Sequence, residues 1–243
     1  MARCRIWGHR GSPRLAPENT LASFERALRD GAQGIEFDVQ CSADGVPVVL
    51  HDDTLERTTD GHGPARASTA TQICALDAGS WFGPRFRHER VPRLDQVLEW
   101  VAAWETEAVL EIKDGRHGVV GACVAAVERL SLLPRVWFHS FAAADLRLVR
   151  SLCPRARIQL IGDLSPTLID EALALRADAC SPYDERLRAE LIPTAWVEKA
   201  RAAGMDLNAG LVNDPAVFAA LARLGIGAVI TDVPHFLDPR PGP

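Results

Sequence analysis

Short apolar runs alternate with segments of helical periodicity along nearly the whole chain. Residues 3–8 predict a strand. The next segment sets Leu21, Phe24, Ala27 and Leu28 on one helical face, with Asn19 or Thr20 placed to cap it. GIEFDVQ (34–40) and VPVVLHD (46–52) read as two strands. Asp44-Gly45 between them predicts a tight hairpin, so the second run returns antiparallel and stands outside any parallel sheet. The rhythm breaks at 53–91 and then resumes. A helix near 94–104 leads to a strand at 108–113, and a helix near 119–130 leads to RVWFHSF. A helix near 143–153 precedes RIQLIG, and one near 166–175 precedes the short run ADACSPY. Helices near 193–203 and 216–224 precede DLNAGLV and GAVITD.

With the hairpin return set aside, eight strands alternate with about eight helical segments. Such alternation implies a parallel sheet with right-handed crossovers. Eight units in 243 residues fit a closed, TIM-type (β/α)8 barrel. An open doubly wound sheet fits less well, because no GxGxxG turn follows the first strand. The expected fold is therefore α/β: one (β/α)8 domain over 1–239, a small insertion after the first hairpin, and a disordered tail at 240–243. The insertion, 53–91, is rich in Thr, Gly, Pro, Arg and His and is too long for a plain connection. Trp81, Phe82 and Phe86 within it either cover a substrate or form a small core of their own.

Composition narrows the function. The apolar share of 47% and the charged share of 24% are those of an ordinary globular protein. A net charge of −5 with no basic run argues against a nucleic-acid partner. No apolar stretch approaches the roughly 20 residues that span a bilayer, and the early HRG segment interrupts any leader-like run, so neither membrane insertion nor export is expected. The six cysteines are scattered without a CxxC pair. They read as buried thiols in a reducing cytoplasm, rather than disulfides or zinc ligands. Lys113 and Lys199 are the only lysines, which draws attention to Lys113 on its strand. A homodimer is compatible with the sequence.

The active site of such a barrel lies at the C-terminal ends of its strands. There the chain places Gly8-His9-Arg10-Gly11, then Glu36 and Asp38, His51-Asp52 at the end of the hairpin return, Glu111 and Lys113, His139-Ser140, and Thr231-Asp232. Glu36 and Asp38 are two apart, so both point to one face of their strand, as do Glu111 and Lys113. Carboxylates directed into a barrel repel one another and lose hydration, a cost that a hard divalent cation offsets. Three carboxylates with room for water suit one Mg²⁺ or Ca²⁺. The alternative turns Glu36 and Asp38 outward and puts Phe37 and Val39 inside. His9 and His51 are candidates for general acid and base. Arg10 and Lys113 suit a phosphate, or else pair with the carboxylates. His62, His88, His117 and His235 read as surface or loop residues; His139, inside an apolar strand, fits neither group. A carboxylate-held cation flanked by two imidazoles and two basic side chains points to phosphoryl chemistry.

Taken together, GHRG (8–11), PENT (17–20), GIEFDVQ (34–40), VPVVLHD (46–52), LERTTDGHG (55–63), VPRLDQVL (91–98), LEIK (110–113), HSF (139–141) and ITDVP (230–234) resemble the glycerophosphodiester phosphodiesterase family over nearly the whole chain. The resemblance implies a TIM-type barrel and hydrolysis of small glycerophosphodiesters to glycerol 3-phosphate and an alcohol. It implies His9 and His51 as the acid/base pair, and Glu36, Asp38 and Glu111 as ligands of one Mg²⁺ or Ca²⁺. Arg10 and Lys113 would contact the phosphate, and Glu18 and Asn19 would order the site. Attack by the glycerol 2-hydroxyl, through a cyclic phosphate, and direct attack by water both stay open. One position departs from the pattern. Where the family carries a WTVN-like segment, this chain reads Gly210-Leu211-Val212-Asn213, so a bulky pocket wall is expected to be missing unless Trp81 or Trp137 fills it. A widened pocket would admit the lipid headgroups of a lysophospholipase D-like or sphingomyelinase D-like activity. Phosphodiester binding without turnover is the non-enzymatic alternative.

Overall fold

The computed structural model describes residues 4–115, 118–184 and 187–237; Arg3, His117 and the tail 240–243 lie outside the described residues. In chain order the elements are β1 (Arg5–Gly8), α1 (Leu21–Arg29), β2 (Gly34–Cys41), β3 (Pro47–Val49), α2 (Ala70–Cys74), α3 (Leu94–Ala103), β4 (Glu107–Ile112), α4 (Val119–Arg129), β5 (Val136–Ser140), α5 (Ala143–Leu152), β6 (Arg157–Gly162), α6 (Pro166–Ala174), β7 (Ala179–Pro182), α7 (Thr194–Ala202), β8 (Asp206–Leu207), α8 (Pro215–Leu224), β9 (Ala228–Thr231) and α9 (Pro234–Leu237). The expected alternation is present, and helix ends follow local chemistry. Thr20 caps α1 by accepting from the Ser23 amide. At α8, Asp214 caps the start, Pro215 occupies the first turn, and left-handed Gly225 ends the helix.

The strands pair in the order β8-β7-β6-β5-β4-β2-β1-β9, with β3 attached to β2. Every pairing along that path is parallel; β3 is antiparallel to β2, as the Asp44-Gly45 turn requires. The eighth strand is shorter than DLNAGLV led one to expect. Beyond Leu207 its backbone bonds alternately to its two neighbours, Asn208 N–H to Cys180 O and Ala209 N–H to Ala228 O, and a bridge from Ala209 to Val229 brings the barrel close to closure. The result is a nearly closed parallel eight-strand barrel.

Side chains alternate across this wall. Ile35, Phe37 and Val39 face outward into the core shared with the helices, where the Phe37 ring meets Phe24 of α1 at 5.9 Å. Inside the barrel, Trp7, Val109, Trp137, Ala179, Ala228 and Ile230 make a separate apolar cluster. Below it Arg5 pairs with Glu107, and Arg157 lies 4.2 Å from the Trp137 ring centroid. This packed interior closes the N-terminal end, so the inward-facing polar residues of the upper turns share one open rim.

Residues 53–91 fold locally around Leu55, Ala65, Ala70, Ile73, Ala78 and Val91, packed on Val48 and Leu50. Trp81, Phe82 and Phe86 belong neither to that cluster nor to the rim cavity. They stack edge-on along the surface, with Trp81 44% exposed. The apolar side chains of α2, with Val91, supply the insertion's main core instead. Among the described residues no helix is long and apolar enough to cross a membrane.

Candidate active site

The loop after β1 sets the geometry of the rim. Arg10 and Asn19 both adopt left-handed backbone conformations, φ 50° and 58°, which non-glycine residues hold only when their surroundings enforce it. The Arg10 amide donates to Glu36 Oε2 at 3.0 Å; its carbonyl accepts from the Asn19 amide and from Ser23 Oγ. Gly11 follows at φ 92°, and a Cβ there would lie 2.4 Å from Ser23 Oγ. Asn19 caps no helix. Its side-chain amide donates to Asp38 Oδ2 at 2.8 Å, which ties the loop to β2.

Glu36, Asp38 and Glu111 point inward and are buried, each offering an oxygen within 4.8 Å of the others'. The outward alternative is thereby excluded. Burial, reinforced by the charges of Asp38 and Glu111, raises the Glu36 carboxyl well above the usual carboxylate range. Burial and Asp38 push Glu111 up to about 7, against the opposing pull of Lys113. Burial acts upward on Asp38 too, but Arg10, His51, Lys113 and Asn19 outweigh it and hold that carboxyl low. Glu36 Oε1 and Asp38 Oδ1 are buried without a hydrogen-bond partner among the described residues. Such oxygens are costly unless something cationic faces them. A hard divalent cation fits this all-oxygen donor set.

The basic groups stand beside these carboxylates. Arg10 Nε lies 3.1 Å from Asp38 Oδ2, and its Nη1 2.8 Å from Glu18 Oε1. Lys113 Nζ lies 2.7 Å from Glu111 Oε1 and 3.7 Å from Asp38 Oδ1. Each imidazole has a carboxylate behind it. His9 Nδ1 is 2.7 Å from Asp232 Oδ1, and His51 Nδ1 is 2.6 Å from Asp52 Oδ1. Asn213 in turn bonds Asp232 Oδ2 at 3.0 Å, and Arg57 spans Asp52 and Glu18. Burial depresses the His51 pKa, with Asp38 and Asp52 pulling the other way.

His9, Arg10, Glu36, His51, Glu111 and Lys113 line one cavity of about 140 Å³, shared with His139, Phe141, Tyr183 and Ile230. Asp38 and Asn19 support it from within the wall, and Glu18 sits at its flank between Arg10 and Arg57. Sequence reasoning placed Asp52 and Asp232 on the rim without a role; their roles as histidine partners emerge only from the fold. His139 is buried and takes a hydrogen bond from Gln159, which in turn takes one from Asn208. Burial pushes its pKa down to about 3, so it is neutral. His62 and His88 are exposed, and His235 lies half-buried on α9. The missing wall at Gly210 is filled by neither Trp81 nor Trp137. Trp137 belongs to the barrel floor, and the ring nearest the place of a Gly210 side chain is Tyr183.

Comparison with known proteins points the same way. Residues 9–235 match the glycerophosphoryl diester phosphodiesterase family. The chain is 34% identical over 238 residues to a glycerophosphodiester phosphodiesterase of Caldanaerobacter subterraneus subsp. tengcongensis, spanning 96% of this chain and 95% of that protein. A glycerophosphodiester phosphodiesterase crystal structure from Agrobacterium tumefaciens aligns with a TM-score of 0.86 at 31% identity, over 96% of this chain and 98% of the other. An Oleispira antarctica phosphodiesterase, solved in complex with the product sn-glycerol-3-phosphate, aligns with a TM-score of 0.86 at 28% identity, over 97% and 95% of the two chains. An ionisable rim on a parallel barrel, matched in sequence and shape along almost its entire length, makes this chain a phosphoric diester hydrolase that belongs to the glycerophosphoryl diester phosphodiesterase family.

Proposed function

We propose that the enzyme hydrolyses small glycerophosphodiesters to glycerol 3-phosphate and an alcohol, with one Mg²⁺ or Ca²⁺ held by Glu36, Asp38 and Glu111. The observation that carries this reading is the cluster of three buried carboxylates, two of them with an oxygen that accepts no hydrogen bond among the described residues, set between two carboxylate-backed imidazoles. When bound, the cation supplies positive charge to the phosphate oxygens. Arg10 and Lys113, which pair with the carboxylates here, supply the remaining positive charge around the phosphate. Because Nδ1 of each histidine is engaged by an aspartate, Nε2 is the atom left to carry protons. One imidazole removes a proton from the attacking hydroxyl, which belongs to water or to glycerol C2; in the second case the cyclic phosphate formed is opened by water, which attacks phosphorus while the P–O bond to C2 breaks, to give glycerol 3-phosphate. The other protonates the departing alkoxide oxygen as its bond to phosphorus breaks. The Oleispira complex with sn-glycerol-3-phosphate supports the same product.

A lysolipid or sphingolipid substrate would draw support from a cavity widened at Gly210. Tyr183 lies against that space, so the small-substrate reading is favoured. The six cysteines are free and five are buried, which supports placing the reaction in the reducing cytoplasm.

A panel of glycerophosphodiesters and lysolipids, assayed with Mg²⁺ or Ca²⁺ and coupled detection of glycerol 3-phosphate, tests the substrate class. Chelation should abolish turnover and either cation restore it. His9→Ala and His51→Ala should each lower kcat by about 10²- to 10⁴-fold with the circular dichroism unchanged. Unchanged rates in both variants would sink the mechanism.

A further inference from the structure

We propose that Tyr183 supplies, from the end of β7, the aromatic wall that the family pattern places at the position of Gly210, and that with Phe141 it binds the carbon face of the glycerol group. The inference rests on the glycerophosphodiester reading above and concerns how that substrate is recognised.

Tyr183 pairs with Gly210 across neighbouring strand ends. A Cβ built on Gly210 would sit 3.4 Å from Tyr183 Cδ2, 3.9 Å from Cε2 and 3.6 Å from Ile230 Cβ. The Tyr183 ring therefore packs at van der Waals distance against the place where a side chain rooted at 210 would begin, and an aromatic there would border the same part of the cavity. The ring also meets Phe141, centroids 5.9 Å apart at 78°, an edge-to-face geometry that aromatic pairs favour. Tyr183, Phe141 and Ile230 are the apolar part of a cavity whose other lining residues are ionisable. A glycerol phosphate has a matching polarity. Its phosphate meets the charged side, and its C–H surface has only this wall to cover it. The Tyr183 hydroxyl makes no hydrogen bond to the described residues, which leaves it available to a glycerol hydroxyl.

The experiment separates the glycerol group from the phosphate. Inhibition by sn-glycerol 3-phosphate and by inorganic phosphate is measured for wild type, Tyr183→Ala, Gly210→Trp and the double variant, each checked for an unaltered circular dichroism spectrum. Tyr183→Ala is expected to weaken inhibition by glycerol 3-phosphate about tenfold and to leave inhibition by phosphate within about twofold. Gly210→Trp alone should also weaken it, since the indole meets the Tyr183 ring. The double variant should regain at least half of the affinity that Tyr183→Ala loses, because the aromatic is restored from the other strand. Equal weakening toward both inhibitors, or a double variant as weak as the two losses combined, overturns the proposal. Failure of the wild type to hydrolyse glycerophosphodiesters would refute the substrate reading itself; retained hydrolysis with an unaffected Tyr183→Ala inhibition constant would refute only the wall.

Discussion

The carboxylate behind each imidazole decides what that imidazole can do. Asp232 holds His9 through Nδ1, and this hydrogen bond, working against the effect of burial, keeps the Asp232 carboxyl low. Asp232→Asn keeps the shape, but the amide either presents a donor to Nδ1 or turns away. The expected result is a fall in kcat of about 10²-fold with KM within about threefold, read from steady-state kinetics; a kcat within twofold of wild type would leave Asp232 with no orienting role. His139 contributes differently. Its ordinary pKa is 6.5, and burial lowers it to about 3 in the fold. Between those pH values the unfolded chain takes up a proton that the folded enzyme refuses. Stability through this group is therefore intact above about 6.5 and lost as the pH falls toward 3, by at most ~1.4 kcal/mol per pH unit. Urea unfolding at pH 7.5 and pH 5 is expected to show a smaller acid loss for His139→Gln than for wild type; equal losses would rule this out. The residue types and strand-end positions of His9, Glu36 and Glu111 were enough to mark them in the sequence. The pairing of His9 with Asp232 was not legible there. Asp232 is 223 positions from His9, and no local pattern announces that Tyr183 faces Gly210.

At the scale of elements, the site depends on two irregular segments clasping a regular barrel. One is the loop from Gly8 to Thr20, strapped to β2 through Arg10 N–H to Glu36 and Asn19 to Asp38. The other is the insertion at 53–91, which delivers Arg57. That guanidinium donates to both oxygens of Asp52 and to both oxygens of Glu18, tying the hairpin return to the first loop. Its side chain is 44% exposed, so the ion pairs contribute little to global stability, but they orient the group behind His51. Arg57→Ala is expected to lower kcat about tenfold while moving Tm by less than about 2 °C. A large drop in Tm with kcat preserved would make Arg57 a stabilising residue only. Strands and helices were legible because their periodicities differ and their ends carry caps such as Thr20 and Asp214. The insertion was legible only as an interruption. Its small core draws on Val48 and Leu50 from outside its own boundaries, and the shortened eighth strand reflects a backbone shared between two neighbours. Neither is a property of a local window.

Over the whole molecule, the carboxylate cluster joins β2 to β4, and the loop after β1 reaches it through Arg10. A cation held there binds the fold as much as the substrate, since the unfolded chain keeps none of this arrangement. At a free concentration 100-fold above its dissociation constant, a cation stabilises the folded state by about 2.7 kcal/mol, and in a chain of this size that corresponds to a rise in Tm of roughly 5–10 °C. Glu36 is the informative position. Its Oε2 accepts the Arg10 amide, and its Oε1 is one of the orphaned atoms. Glutamine retains an acceptor for Arg10 and removes a charge that burial, Asp38 and Glu111 all disfavour. Without added cation, at pH 8, Glu36→Gln should melt at or above the wild-type temperature. On adding Mg²⁺ or Ca²⁺ the wild type should gain stability and the variant should not, so that their order reverses. Differential scanning calorimetry of both proteins, with chelator and with each cation, makes the comparison without relying on turnover. A variant that gains as much Tm as the wild type would mean that the cation binds elsewhere. A wild type that neither shifts in Tm nor needs a cation for hydrolysis would remove the cation from the site altogether, leaving Arg10 and Lys113 to carry the phosphate charge alone.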